Sequence, residues 1–209
     1  MKNRNKIELT GKISSEIIYN LEARRYEFSF DTTRKSGYND KINCRISSKL
    51  ISYEDLQSCR NKTIKLIGRL CTENVYVENK SHLIVYAYIF SVLVVNTQLF
   101  DKVELNTATV EGYVCTNPVY RLTPKGRKIC DMIIACNSTE DRTEYIPVIM
   151  WNRCAESAKN LKVGDMVNII GRLQSREYAK EIVDKEQDRT AKVIKTAYEL
   201  SCIFFSKCK

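Results

Sequence analysis

The chain has 209 residues, of which 44% are hydrophobic and 28% are charged, and this composition is ordinary for a soluble globular protein. Its formal charge of +9 favours a polyanionic partner, nucleic acid before an acidic membrane surface, although a solvated basic surface would give the same count. The N-terminal sequence MKNRNKIELT lacks an apolar signal core, and the most apolar run, 83–95, is too short to cross a bilayer. These features predict a cytoplasmic protein without a membrane span.

One strand-like unit occurs twice in the chain. NKIELTGKI at 5–13 is echoed by NTATVEGYV at 106–114, and TIKLIGRL at 63–70 is echoed by MVNIIGRL at 166–173. The paired glycines are 101 residues apart in the first echo (11 to 112) and 103 in the second (68 to 171). Self-similarity at a nearly fixed offset indicates two copies of one domain, with predicted boundaries at 5–97 and 105–206. The alternating apolar residues predict half-buried strands, and each interior glycine predicts a bulge or sharp bend.

The first copy predicts three strands, a short helix and two more strands, at 6–17, 26–30, 41–47, 49–58 (helix), 63–70 and 83–95. Ser48 is the expected N-cap of the helix, which contains the acidic residues Glu54 and Asp55. The last strand, LIVYAYIFSVLVV, is rich in β-branched and aromatic residues and is expected to be buried.

The second copy predicts the same order, at 108–114, 129–136, 144–151, 152–161 (helix), 166–178 and 197–206. The charged stretch 180–195 is expected to separate the last two strands. The linker at 96–104 is not rich in Gly or Ser, so the two domains should pack together rather than be loosely tethered.

Three strands, a helix and two strands is the element order of the OB-fold, a five-stranded Greek-key barrel. The predicted fold class is therefore all-β with short helices, built as two tandem OB-fold barrels. Such barrels commonly bind oligonucleotides or oligosaccharides over strands two and three and the flanking loops, but the fold alone does not decide the function.

The sequence contains no catalytic or metal-binding constellation. Its nine cysteines form no C-x-x-C pair, and His82 is the only histidine, so a tetrahedral zinc site lacks its ligands. Several cysteines alternate with apolar residues and are expected to be reduced core residues. Because there is also no Gly-rich phosphate loop and no His paired with Ser or Cys, we predict a protein that is not an enzyme and carries no metal or cofactor.

The second copy carries aromatic and basic residues on strand faces that point away from the barrel. In strand three, Tyr145 and Trp151 share the face opposite to the predicted core face, and strand four directs Arg172, Arg176 and Tyr178 outwards. Single strands are bound in this way, by bases stacking on aromatic rings while Lys and Arg contact phosphates. The neighbouring loops add basic residues to this candidate site: Arg121, Lys125, Arg127 and Arg153. The alternative is that the aromatic residues pack under the charged loop or against another protomer.

The first copy offers fewer stacking residues. Tyr26, Phe28 and Phe30 share one strand face and are expected in the core, whereas Tyr38, in a turn, is the better stacking candidate. Basic residues accompany its second and third strands: Arg24, Arg25, Arg34, Lys35, Lys41 and Arg45. We expect this domain to bind through charge or to serve in assembly.

Three stretches of the second copy resemble the bacterial single-stranded DNA-binding protein family: NPVYRLTPKG (117–126), TEYIPVIMWNRCAESAKNLKVGDMVNIIGRLQSREY (143–178) and TAYELS (196–201). The resemblance implies roles in binding for six residues: base stacking for Tyr145, Trp151 and Tyr178, the loop arginine for Arg121, and the basic end of strand four for Arg172 and Arg176.

The two-domain layout looks like a longer variant of this family from low-GC Gram-positive bacteria. The common form is an assembly of four single-domain chains, so two domains per chain imply a homodimer. The common form also has a Gly-rich linker and an acidic C-terminal tip that recruits repair and replication enzymes. This chain ends in FFSKCK, so recruitment through such a tip is not expected.

These observations together predict a protein that binds single-stranded DNA with little sequence preference and acts in replication, recombination or repair, with replication or repair proteins as possible partners. Its affinity should fall steeply with salt. Three alternatives stay open: an RNA-binding or replication-restart accessory protein on the same fold, a nuclease built on an OB barrel, and a structural OB adaptor.

Overall fold

The computed structural model describes residues 4–77, 80–95, 105–137, 142–184 and 189–208. In chain order the elements are β1 (Asn5–Ile13), β2 (Ile18–Asn20), β3 (Arg25–Thr33), β4 (Asn39–Ser47), α1 (Tyr53–Ser58), β5 (Ile64–Val77), β6 (Lys80–Val94), β7 (Asn106–Val114), β8 (Val119–Leu122), β9 (Lys128–Asn137), β10 (Thr143–Trp151), α2 (Arg153–Ala158), β11 (Met166–Asp184) and β12 (Arg189–Lys207). Neither of these helices is long enough to cross a membrane.

Each half of the chain closes into a five-stranded barrel. In the first, β1 pairs with β3 and β5, β3 with β4, and β6 lies between β4 and β5. In the second, β7, β9, β10, β12 and β11 follow the same cycle, and β4–β6 and β10–β12 are the parallel pairs. The predicted fold class, all-β with short helices in two OB barrels, is confirmed.

The strand faces predicted to fill the cores are buried. In the first barrel they include Tyr26, Phe28 and Phe30, and in the second Ile146, Val148 and Met150. Six of the nine cysteines are also buried, and all nine are free thiols. Burial raises the pKa of the Cys71 and Cys136 thiols to about 11, so these groups are neutral core residues at physiological pH.

The two barrels are joined edge to edge through β1 and β7. Asn5 pairs with Val110, Ile7 with Ala108, and Leu9 with Asn106, in antiparallel register. Since these strands of the two copies are offset by 101 residues, Ile7 and Ala108 occupy the same position in their copies (7 to 108). The pairing is therefore symmetric about that residue pair. The predicted linker at 96–104 lies outside the described residues.

The asparagine that opens each repeated stretch extends the barrel ladder with its side chain. The Asn5 amide nitrogen donates to the Leu70 carbonyl at 2.8 Å, and its Oδ1 accepts the Leu70 N–H at 2.9 Å. Asn106 makes the same two bonds with Leu173, at 2.7 and 3.0 Å. The first letter of the repeated motif is thus a backbone-pairing residue, because its amide mimics a peptide group.

The later repeated glycines lie at bulges, as predicted. The register shifts between Ile67 and Gly68 and again between Ile170 and Gly171. A Cβ on Gly68 would lie 2.3 Å from the Tyr88 carbonyl oxygen, and one on Gly171 would lie 2.4 Å from the Ser201 oxygen. Only glycine allows the neighbouring strand to approach this closely.

The helix predictions need correction. The first helix is capped by Ser52 and not by Ser48, because Ser52 Oγ accepts the Asp55 N–H at 3.0 Å while Ser48 Oγ donates to the Arg24 carbonyl. Ser52 has Asp55 three residues later, and acidic residues favour the first turn of a helix. Both helices are also shorter than predicted: α1 is Tyr53–Ser58 and not 49–58, and α2 is Arg153–Ala158 and not 152–161.

Three strand predictions also differ from the structure. The charged stretch 180–195 does not separate two strands, since β11 and β12 pair as far as Asp184 and Arg189. Beyond the barrel, the described residues of these two strands pair only with each other. The strand 83–95 is only partly buried, because Phe90 and Leu93 are exposed on its outer face. The short edge strands β2 and β8 lie in stretches for which the sequence analysis predicts no strand.

Candidate nucleic-acid interface

A groove of about 430 Å³ lies where the first barrel meets the outer face of the second. Its principal side chains are Trp151, Arg127, Arg172 and Arg176 from the second domain, and Arg34 and Tyr38 from the first. The described lining contains four arginines and no carboxylate. The groove is therefore a concentrated positive surface beside an aromatic ring.

Strand geometry determines which side chains reach the groove. Trp151 is the last residue of β10, where it pairs with Ile129, and its ring is half-buried. Arg172 directly follows the Gly171 bulge in β11 and points to the face opposite the core residue Leu173. The predicted outward set of strand four is confirmed for Arg172, whereas the side chain of Tyr178 lies outside the described residues.

The charge of Arg172 is only partly compensated by its surroundings. Its Nε is buried and has no hydrogen-bond partner within the part of the chain that the structure describes. Burial first, and the neighbouring Arg34 second, lower the pKa of Arg172, while Asp40 acts in the opposite direction. An arginine remains protonated under these conditions, so an anion placed here would be stabilised by a charge that the protein leaves partly unbalanced.

The loop that carries Arg34 is fastened to the second domain by a buried carboxylate. Asp40 is fully buried and accepts two hydrogen bonds from Arg34, from Nε at 2.6 Å and from Nη2 at 2.5 Å. It also accepts the Ser175 N–H at 3.3 Å, and Ser175 Oγ accepts the Lys41 N–H at 3.0 Å. The hydrogen bond to Asp40 raises the pKa of Arg34. The groove wall from the first domain is therefore fixed in place.

A second polar contact repeats this arrangement with the domains exchanged. Glu144 Oε2 accepts the Thr72 N–H at 2.5 Å and its hydroxyl at 2.8 Å, and the Tyr145 N–H donates to Thr72 Oγ1 at 3.1 Å. Arg142 forms an ion pair with Glu144 at 3.4 Å. Asp40 and Glu144 are thus corresponding buried acids that join the barrels on either side of the β1–β7 pairing.

The structure unites only some of the predicted site residues. Trp151, Arg127, Arg172 and Arg176 line the groove, and Arg176 also lies 3.5 Å from Glu199.

Four other predicted residues are not part of the lining: Tyr145, Arg121, Lys125 and Arg153. Tyr145 is half-exposed on the same face of β10 as Trp151, about 20 Å further along the strand. Arg121 donates two hydrogen bonds to Asp131 Oδ2, at 3.0 and 2.6 Å, so its charge is already paired. Lys125 is exposed in the turn before β9, and Arg153 is exposed at the start of α2.

Sequence reasoning did not place first-domain residues in this site. The sequence predicts Tyr38 as a stacking residue and Arg34 as a basic residue, but it does not predict that either lies beside Trp151. Gln174 and Asn152 also line it. No single-sequence signal reveals which loop of one domain faces which strand of the other.

The corresponding outer face of the first barrel is filled by ion pairs. Arg45 Nη1 lies 2.6 Å from Glu73 Oε2, its Nε lies 3.7 Å from Glu27, and its guanidinium carbon lies 3.9 Å from the Tyr86 ring centroid. The hydrogen bond from Arg45 lowers the pKa of Glu73. These charges are balanced within the protein.

Comparison with known proteins supports the two-barrel description. The Single-strand binding protein family matches residues 105–200. A single-stranded DNA-binding protein of Listeria innocua is 32% identical over 81 residues, which is 35% of this chain and 51% of that protein. Single-stranded DNA-binding protein A of Bacillus subtilis is 33% identical over 81 residues, covering 35% and 47%. This chain therefore spans about half the length of these relatives.

The likeness extends to the first barrel at the level of fold. The crystal structure of the wild-type single-stranded DNA binding protein from Thermus aquaticus superposes with a TM-score of 0.75 at 18% identity, covering 100% of this chain and 95% of that one. The second domain of this chain is therefore similar to the single-strand binding protein family over nearly its whole length.

Proposed function

We propose that this protein binds single-stranded DNA with little sequence preference, and that it coats and protects single strands in replication, recombination and repair without catalysing a reaction. The observation that carries the proposal is the groove in which the only tryptophan of the chain lies beside four arginines. Aromatic rings stack on any base, and guanidinium groups bind phosphates, so this pair of features favours a strand irrespective of its sequence.

The proposed roles follow the positions of the side chains. Trp151 stacks on a base in the groove, Tyr145 extends the stacking surface along β10, and the family resemblance assigns a further stacking role to Tyr178. Phosphates are contacted by the basic residues around it: Arg172, Arg176, Arg127, Lys125 and Arg153. Arg121 is expected to contribute least, because Asp131 already compensates its charge. The relatives that match this domain are named single-stranded DNA-binding proteins, which supports the same role here.

Titration with oligo-dT tests the stacking contribution. We expect quenching of intrinsic tryptophan fluorescence, which reports on Trp151 alone. Trp151→Ala, followed by anisotropy of a labelled oligo-dT, should weaken binding at least about fivefold, since stacking contributes roughly 1–3 kcal/mol per base. Tyr113→Ala removes an exposed aromatic of the same domain outside the groove and is the matched control. Equal affinity of Trp151→Ala and wild type would contradict the proposal.

The salt dependence tests the phosphate contacts. Arg127 is exposed, and its replacement by alanine should reduce the slope of log affinity against log salt by about 0.7, the value for one phosphate contact on a single strand. Lys49→Ala, at an exposed turn of the first domain, should leave the slope unchanged. An unchanged slope for Arg127→Ala would remove this residue from the interface.

We further propose that two chains associate into a homodimer with four barrels, located in the cytoplasm, and that replication or repair proteins are its protein partners. Light scattering during gel filtration should give the mass of two chains. A mass of one chain at the concentration used for DNA binding would contradict the dimer without affecting the groove.

A further inference from the structure

We propose that the first domain completes the nucleotide site of the groove, with Tyr38, oriented by Arg34, stacking on a base and Arg172 contacting the adjoining phosphate. A bound strand would then pass from the second domain onto the first at this point. The inference rests on the proposed function and adds to it a contact by the first domain.

The position of Tyr38 supports stacking. Tyr38 is 50% exposed and lines the same groove as Trp151. The guanidinium carbon of Arg34 lies 4.6 Å from the ring centroid. This cation–π contact orients the ring and leaves half of its surface open. An exposed aromatic that is held in one orientation loses little conformational entropy when a base stacks on it.

The loop itself is preorganised by the buried acid. Asp40 holds Arg34 through two hydrogen bonds and accepts a third from the backbone of Ser175 in the second domain. Gly37 adopts a left-handed conformation, with φ of 81°, which closes the tight turn before Tyr38. A strand entering the groove therefore meets a wall that is already assembled from both domains.

The charges of the groove favour a phosphodiester. Arg172 Nε is buried without a partner among the described residues, and Arg34 lies close enough to disfavour its charge. Asp40 neutralises one of the two guanidinium groups, which leaves excess positive charge at the junction of the domains. A phosphate oxygen has lone pairs to accept a hydrogen bond there and a negative charge to relieve the repulsion.

The pseudo-symmetric location lacks two of the side chains that line the groove. The first-domain positions that correspond to Trp151 and Arg176 are Ser47 and Glu73, at offsets of 104 and 103 residues. A serine does not stack, and the carboxylate of Glu73 is paired with Arg45. The proposed passage of the strand between domains is therefore confined to one side of the molecule.

The test compares four full-length proteins in anisotropy titrations with labelled oligo-dT of about 35 nucleotides, long enough to cover both domains. Tyr38→Ala should bind at least about fivefold more weakly than wild type, while Tyr38→Phe, which keeps the ring, should bind within about twofold. Tyr53→Ala, an exposed first-domain tyrosine on α1 outside the groove, is the control. The salt slope should be the same for Tyr38→Ala and wild type, because stacking and not a phosphate contact is lost.

A direct readout is photo-cross-linking to oligo-dT that contains 4-thiothymidine, which should attach to the tryptic peptide with Tyr38. If Trp151→Ala weakens binding but Tyr38→Ala does not, and this peptide is not cross-linked, the inference is wrong and the proposed function stands. If wild-type protein does not bind oligo-dT at all, both fail.

Discussion

The outer faces of the two barrels differ although their backbones follow one plan. Residues of β4 and β10 correspond at an offset of 104 (44 to 148). Cys44 pairs with β6 in the first barrel, and Val148 pairs with the equivalent strand, β12, in the second. Where the second barrel has Tyr145 and Trp151, the first has Lys41 and Ser47. The aromatic residues at these two positions are therefore confined to one copy.

The charges on these faces are also used differently. In the first barrel, Arg45 is balanced by Glu27 and Glu73, and Glu73 occupies the position of Arg176. In the second, the corresponding region contributes arginines to a groove whose described lining has no carboxylate. Two barrels of one plan therefore differ in their outward aromatic residues and in how far their arginines are paired with carboxylates.

The largest expected effect lies in the part that the two domains share. Asp40→Ala and Glu144→Ala should each lower the free energy of unfolding by about 3 kcal/mol, because each leaves buried hydrogen-bond donors unsatisfied. Urea denaturation followed by circular dichroism measures both. Glu54→Ala on exposed α1 is the control and should change stability by less than about 0.5 kcal/mol. A loss confined to one of the two variants would show that the contacts are not equivalent.

A graft tests whether the outer face alone separates the domains. The double variant Lys41→Tyr/Ser47→Trp installs the second domain's aromatics on the first and should increase oligo-dT affinity by about 1 kcal/mol, or roughly fivefold. Lys41→Ala/Ser47→Ala controls for the loss of the native side chains. If the graft binds no better than this control, the ion pairs around Arg45 or the path of the strand must also differ between the domains.

The smallest expected effect is the acid dependence of the first face. The pKa of Glu73 is lowered in the folded protein by its hydrogen bond from Arg45, so the pair stabilises the fold above the unfolded pKa, near 4.3. This contribution is lost as pH falls through the lower folded value. Glu73 is partly exposed, so the wild type should exceed Glu73→Gln by only about 0.5 kcal/mol at pH 7.

Thermal unfolding of these two proteins between pH 3 and pH 7 measures the effect. The difference should shrink below about pH 4. A difference that grows on acidification would have the wrong sign for this ion pair.

The sequence predicted the barrels because local pattern and global fold agree in them. The alternation in β3, β10 and β11 placed the core faces correctly, and the glycines at 68 and 171 marked the bulges. Residue periodicity reports which side of a strand is buried, so it carries this information without knowledge of strand neighbours.

The wrong predictions concern features that depend on residues distant in the sequence. Ser48 and Ser52 carry the same hydroxyl group, but Ser48 donates to the Arg24 carbonyl, whereas Ser52 accepts the Asp55 N–H. The charged ribbon of β11 and β12 shows no core-facing alternation because it extends beyond the barrel. The loop with Arg34 and Tyr38 is held at the groove by Asp40. Asp40 accepts a hydrogen bond from the Ser175 N–H, which is 135 residues away in the sequence. Such a contact leaves no mark on a single sequence.

The antiparallel β1–β7 ladder joins two barrels that belong to one polypeptide chain. Between separate chains, such an interface would dissociate on dilution, but here the effective concentration of each barrel around the other is set by the connecting segment and is independent of protein concentration. A substitution in a homodimer also appears in both subunits. In this covalent pair each half can mutate alone, so one barrel can lose its aromatics while the other keeps them. Because both barrels lie in one chain, they can differ in their outer faces while they keep the symmetric β1–β7 pairing.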